Sequence, residues 1–476
     1  MKTITSIVRY AFFACVLVCC TLGQSHAQEK NVVKLTLHAR SVSENPDDVR
    51  LLPREHELRD GNAAIELLRM PWEQTHFIKL KDKHMSDWLE MKGNDPELMK
   101  WDSAFTPFKE KMRRAAYTRD ADWDYPLGEQ PMVTILLPDV QGMREYTGRI
   151  MSLWIKIQIA KGNLKDAEEG LLIQMACARH VSRTPFTVCQ LVGAAIAKMG
   201  FTQLEDLIQH ADSDNFYYAL PLLPNTLGDF KSAIELEATM IHKSMPSLDR
   251  AMLPPIGDTE WKVAFSELFE YYVASVTSID ELDQEDLKRK LRTAAEKLVD
   301  STEFSKAQIE KMSDEEKSIR WVLSHIELIG AKYIAATQLP THQAIQSLAK
   351  LETEADELNA KVAFKSTAEV HEGAIPSKFF TICSIEPFLG CHRTGRHAKL
   401  LQIVEAIRDH ASKNENRMPG SLSEIELSLP LDPFTNQPAD YELEDGVATL
   451  SWPLIPNLGE ELNYRRVYKL KMADTK

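Results

Sequence analysis

The sequence predicts a mainly α-helical protein: antiparallel helical hairpins or a repeat-like helical array, followed by a small C-terminal α+β module that ends in a β-hairpin. Three observations carry this reading. From about residue 139 to 365 apolar residues recur with the helical period almost throughout. The breaks in that stretch, such as Gly162-Asn163 and Ser182-Arg183-Thr184-Pro185, span a few residues each, so successive helices must pack as antiparallel neighbours. Near the C-terminus, Asp445-Gly446 lies between two alternating segments, and that dipeptide suits a two-residue type I′ turn. With 44% hydrophobic and 26% charged residues, the 476-residue chain has ordinary globular usage, which excludes a collagen-like or wholly disordered protein.

Taken in order, residues 1–27 read as a cleavable secretory signal. Lys2 and Arg9 form a positive start, residues 10–22 are an apolar run, and Ser25 and Ala27 put small side chains before a cleavage point at Gln28. The run falls short of the roughly 20 residues that span a bilayer. No stable transmembrane anchor is therefore expected after cleavage, and the mature chain is expected in the periplasm or outside the cell. Loss of Lys2 and Arg9 takes the 56 basic residues to 54 against 70 acidic ones, and the net charge from −14 to −16. An acidic surface disfavours nucleic acid, which binds through neutralised phosphates, and leaves protein as the expected partner. The sequence sets no oligomeric state.

Residues 28–138 read as an N-terminal extension, with a short strand at 32–39, a short helix at 63–70 and a longer one at 96–117. Residues 139–375 form the helical body. Residues 141–160 are apolar on nearly every face, 165–181 resume with acidic residues in the first turns, where they favour the helix dipole, and 186–210 carry small Ala194, Ala195 and Ala197 that would let a neighbour approach. Further helices are expected at 227–243, 259–275, 280–299, 305–337 with a break near Met312, and 341–364. Residues 376–476 form the α+β module. Residues 398–411 are an amphipathic helix with Leu400, Val404, Ile407 and Ala411 on one stripe, and Ser421 to Glu424 match a capping box. The hairpin register pairs Leu443 with Ala448 and Tyr441 with Leu450, which puts Tyr441, Leu443, Ala448, Leu450 and Trp452 on one apolar face.

Several segments resemble a set of large, exported, helical bacterial proteins without a characterised activity. They are Leu51-Leu52-Pro53, Gly61-Asn62-Ala63-Ala64, Ala121-Asp122-Trp123, Ala176-Cys177-Ala178-Arg179-His180, Leu191-Val192-Gly193 and the run from Asn215 to Leu220. The resemblance implies a helical fold and carries over no catalytic residue. The C-terminal segments Met418-Pro419-Gly420, Leu422 to Ile425, and Asp432-Pro433-Phe434 with Pro438 and Tyr441 resemble the tail of pseudopilin-like proteins of type II secretion. The N-terminal pilin helix with its own processing site is missing before residue 398, so this likeness concerns shape.

The chain has no Gly-rich dinucleotide fingerprint, phosphate-binding loop, nucleophile elbow or His-Glu-x-x-His zinc helix, and no catalytic residue or cofactor is assigned. Asp120, Asp122, Trp123, Asp124 and Tyr125 set carboxylates beside aromatic rings, a combination suited to carbohydrate or cation binding; the competing reading makes Trp123 a loop anchor. Tyr217 and Tyr218 form a second aromatic candidate, and His180, late in its helix, is expected to cap carbonyls. Cys383, Cys391, His392 and His397 have zinc-ligand chemistry, but adjacent Cys391 and His392 cannot easily address one ion, so no metal is expected. Asp432 and Asp440 supply few of the six or more oxygens that calcium takes.

Four cysteines remain after signal removal: Cys177, Cys189, Cys383 and Cys391. Cys177 and Cys189 sit at equal height across a helical turn, so a disulfide requires that both point into the shared seam; buried thiols are the expected alternative. Cys383 and Cys391 could pair locally. The functional expectation is an exported helical scaffold or protein-binding protein, and the alternative is an exported polysaccharide hydrolase with an α/α toroid.

Overall fold

The computed structural model describes residues 32–73, 84–85, 87–125, 138–244, 258–274, 289, 306–361, 364–365, 374–375, 385–460 and 462–474. The expected signal, Cys383 and all but one residue of the helix expected at 280–299 lie outside them. In chain order the elements are β1 (Val32–Leu37), β2 (Arg59–Asn62), α1 (Ala63–Glu73), α2 (Asp102–Ala116) and β3 (Thr118–Asp120), then α3 in three consecutive stretches, Pro138–Met143, the π-wound Arg144–Ile150 and Met151–Lys161. Next come α4 (Leu164–Ser182), α5 (Thr187–Leu207), α6 (Phe230–Ser244), α7 (Asp258–Ala274), α8 (Asp314–Thr337), α9 (Thr341–Lys361), the two-residue strands β4 (Phe364–Lys365) and β5 (Ala374–Ile375), α10 (Ile385–Lys413), β6 (Asp440–Glu444), β7 (Val447–Ser451) and β8 (Val467–Met472). The chain is mainly α with a small α+β module, as its periodicity predicts.

Contacts divide it into two compact units that do not follow sequence order. One takes in Thr21–Asp124, Leu137–Phe230 and Glu386–Lys476, and the other is chiefly Lys231–Ile385. In the first, α3, α4 and α5 are successive helices with short turns. Gly162 ends α3 in the left-handed conformation (φ 76°), its N–H returning to Gln158 O and Ile159 O. Close approach of α4 and α5 is made by glycines more than by the expected alanines, of which Ala194 and Ala195 stay half-buried. A Cβ on Gly193 would stand 1.9 Å from Ser182 Oγ, and one on Gly200 would stand 2.8 Å from Met175 Cε. The expected helix at 96–117 is a single capped turn, Pro96–Met99, followed by α2.

The sheet of this unit has strand order β1-β8-β7-β6. β6 and β7 pair with Tyr441 opposite Leu450 and Leu443 opposite Ala448, the register set by pattern and turn. Asp445 (φ 48°) and Gly446 (φ 75°) both take the left-handed region that a type I′ turn requires. The module does not end on this hairpin. β8 adds antiparallel to β7, and β1 adds parallel to β8 from Val32 opposite Val467 to Leu37 opposite Met472. Leu35, Leu37, Ala448, Leu450, Trp452, Tyr468 and Leu470 are buried in its core. The capping box expected at Ser421 does not form: Glu424 accepts the N–H of Gly420, one residue before the N-cap, at 2.9 Å, and the Ser421 hydroxyl meets Ser423 Oγ at 2.8 Å instead of the helix backbone.

In the second unit the break near Met312 is real. Ser313 caps α8, its hydroxyl accepting the Glu316 N–H at 3.2 Å, and Arg320 lies 5.0 Å over the Trp261 ring of α7.

Candidate functional site

The acidic and aromatic loop after β3 is built around Trp123. Asn62 donates to Asp122 O at 2.6 Å and accepts the Asp122 N–H at 2.9 Å, while the Asp122 carboxylate accepts the Asp124 N–H at 3.0 Å and holds that residue at φ 54°. Trp123 is buried and its indole N–H donates to His180 O at 3.3 Å. Asp120, Asp122 and Asp124 are exposed, and Asp120 stands 4.0 Å from Arg183. Trp123 is thus the anchor of this loop, with its aspartates turned to solvent. Tyr217 is a packing residue, its hydroxyl donating to Ser428 O at 2.5 Å, with Tyr218 packed edge-on at 5.2 Å.

His180 is fully buried in α4 and its Nε2 meets Ala115 O at 3.1 Å, so it closes the end of α2 and not its own helix. Burial first, then Arg179 and Arg183, bring its pKa down to about 3, and the ring stays neutral. Cys177 is a buried thiol, pushed up to about 12 by burial, that points at Met112 O at 3.7 Å. No bond joins it to Cys189, which is buried in α5, and Cys391 is buried in α10. His392 binds Phe388 O at 2.8 Å through Nδ1 and stacks on the Phe388 ring at 3.9 Å, whereas His397 Nε2 faces Glu205 at 2.9 Å. Among the described residues no group of three His, Cys, Asp or Glu is placed to hold a metal ion.

The sequence offered His397 and Asp432 only as metal-ligand candidates and did not disclose the buried ion pairs that they join. Buried Glu205 of α5 accepts from Tyr468 Oη of β8 at 2.5 Å, contacts His397 of α10 and pairs with Arg466. Burial alone would raise its carboxyl, but His397, Arg466 and Tyr468 outweigh this and hold it below the usual range. Arg408 of α10, with no side-chain exposure, donates to both Glu405 oxygens (3.0 and 2.9 Å), to Ser213 O and Oγ, to Asp214 O and to His38 O. Arg396 grips Asp432 side-on, Nε to Oδ1 and Nη2 to Oδ2, both at 2.8 Å. Asp432 also accepts from Phe434 N and Thr435 Oγ1, which fills the oxygens that a cation would need. Glu405-x-x-Arg408 inside an otherwise apolar stripe is the one local signal of these braces.

A cleft of about 400 Å³ is lined by Arg40, Ser41, Ser43, Asp48, Asp214 and Asn215. Its charged groups are already engaged: Arg40 pairs with Asp214 at 2.6 Å, Lys165 reaches the same carboxylate at 2.5 Å, and Asp48 accepts from Ser43 and Asn45.

No family model, curated protein or solved structure matches this chain. The geometry of its own surface therefore has to carry the functional reading. Leu222, Leu431 and Leu454 are 68%, 46% and 55% exposed, and Tyr218 is exposed as well. Hydrogen bonds draw their segments together: Tyr217 to Ser428 ties the first to the second, and Arg396 holds both Asp432 and Pro453 O (3.0 Å), the neighbours of Leu431 and Leu454. Among the described residues no helix is long and apolar enough to cross a membrane.

Proposed function

We propose that the protein is an exported helical scaffold that binds another protein through the apolar surface around Leu222, Leu431 and Leu454. The observation that carries this reading is that three large aliphatic side chains face water on segments tied by the Tyr217–Ser428 hydrogen bond and, for Leu431 and Leu454, by the buried Arg396, which holds both Asp432 and Pro453 O. Aliphatic groups on rigid backbone lose little entropy on docking and gain from leaving water. The perturbed titratable groups support a scaffold in the same way, because His180, Glu205 and His397 are each engaged in joining elements.

The test is a pull-down from the exported fraction of the native host with the mature protein, beside a Leu222→Asp/Leu454→Asp variant of equal melting temperature. A partner retained by the native protein and lost by the variant is the expected result. Capture of nothing, or of the same set by both proteins, would sink the reading. N-terminal sequencing of the protein from that fraction should begin at Gln28.

A further inference from the structure

β6 is the outermost strand of the four-stranded sheet, and none of its residues is buried. In its two-residue hairpin with β7 the flanking pair, Glu444 and Val447, is hydrogen-bonded, and bonded pairs then alternate along the ladder. Glu444, Glu442 and Asp440 therefore direct their backbone groups to β7, whereas the N–H and C=O of Tyr441 and Leu443 point away from the sheet. Among the described residues no hydrogen bond is made to these outward groups. The opposite edge is stopped: on β1 the outward N–H of Thr36 goes to Gln209 Oε1 at 3.1 Å.

Side chains on the β6 edge sort by face. Asp440, Glu442 and Glu444 are exposed on the outer face, while half-buried Tyr441 and Leu443 lie on the face of the sheet's core. Arg465 comes within 3.7 Å of Asp440, but among the described residues no cation pairs with Glu442 or Glu444. The lysines of that outer face, Lys34, Lys469 and Lys471, stand beyond β7 on β1 and β8. This pattern selects what can pair here. A second β6 would set carboxylate beside carboxylate, and like charges on neighbouring strands repel. A strand with Lys or Arg at alternate positions would instead place opposite charges side by side.

We propose that β6 is the docking edge for an extended, basic segment of another protein, which adds antiparallel as a further strand, with Lys or Arg beside Glu442 and Glu444 and apolar residues beside Tyr441 and Leu443. Main-chain hydrogen bonds to Tyr441 and Leu443 supply affinity, and the alternating side chains supply selection. The edge contains none of Leu222, Leu431 and Leu454, so its test stands apart from the pull-down.

The probe is the peptide acetyl-Lys-Val-Lys-Val-Lys-Val-amide. Saturable binding to the full chain in isothermal titration is expected, together with slowed amide hydrogen exchange at residues 440–444. In an antiparallel pair the valine N–H groups of the peptide face Tyr441 and Leu443, so N-methylation of the valines, which keeps every charge, should abolish binding. Glu442→Gln/Glu444→Gln should weaken binding about tenfold; the methylated peptide needs no variant of the protein. Absence of saturation, unchanged exchange at 440–444, or equal binding after valine methylation or by the variant would overturn the proposal. So would self-association of the native chain that the peptide dissolves, because the edge would then belong to a second copy.

Discussion

Acidification should destabilise this protein through two neutral, buried imidazoles. Burial leads the causes that bring His180 down to about 3 and His392 down to about 4, whereas both return to about 6.5 on unfolding. Between those values the unfolded chain binds more protons than the folded one, so stability is full above pH 6.5 and falls as the pH drops. At pH 4.5 the unfolded imidazole lies two units below its pKa, which costs about 2.7 kcal/mol for each histidine at 1.36 kcal/mol per unit. The two together approach the lower end of a domain's stability, roughly 5–15 kcal/mol. The assay is the urea midpoint, followed by tryptophan fluorescence, at pH 7.0 and 4.5 for the native protein and for His392→Gln. The variant should lose about 2–3 kcal/mol less than the native protein between the two pH values. Glu168 and Asp206, whose carboxyls burial raises, act with the opposite sign in both proteins and cancel in the comparison. An identical acid loss in the two proteins would refute the reasoning.

Asp432→Ala leaves Arg396 buried without its carboxylate and should cost about 3–5 kcal/mol, read as a lowered urea midpoint at pH 7. Because Arg396, Phe434 and Thr435 already occupy the Asp432 oxygens, thermal melts of the native protein in calcium and in chelator should coincide; a calcium-dependent rise would contradict this assignment. Gly193→Ala places a methyl 1.9 Å from Ser182 Oγ and 2.7 Å from Ala178 O, forcing α4 and α5 apart at a cost of about 1–3 kcal/mol. An unchanged melting temperature in that variant would count against the tight seam.

The features legible in the sequence are those decided within a few residues. The β6–β7 register followed from two-residue alternation and from Asp445-Gly446, because a one-residue slip would turn Leu450 and Ala448 to water. The turns at Gly162 and at 183–186 followed from backbone chemistry in the same way. Even local rules gave way where a nearby group competed, as Ser423 did for the hydroxyl of Ser421. The anchoring of Trp123 and the orientation of Cys177 were open, since a helix apolar on nearly every face has no pattern that says which neighbour each residue meets.

By itself the sequence determined a mainly helical chain with a small α+β module, its hairpin register and its principal helix breaks. Tertiary structure alone decided that β1 joins β8 in one sheet and that Glu205 meets His397 and Tyr468. The division has a physical cause. Periodicity and turn chemistry act over one or two turns of chain, whereas a parallel strand pair or a buried ion pair forms between residues far apart in sequence. Such a pair depends on which charged groups packing brings together after water has left.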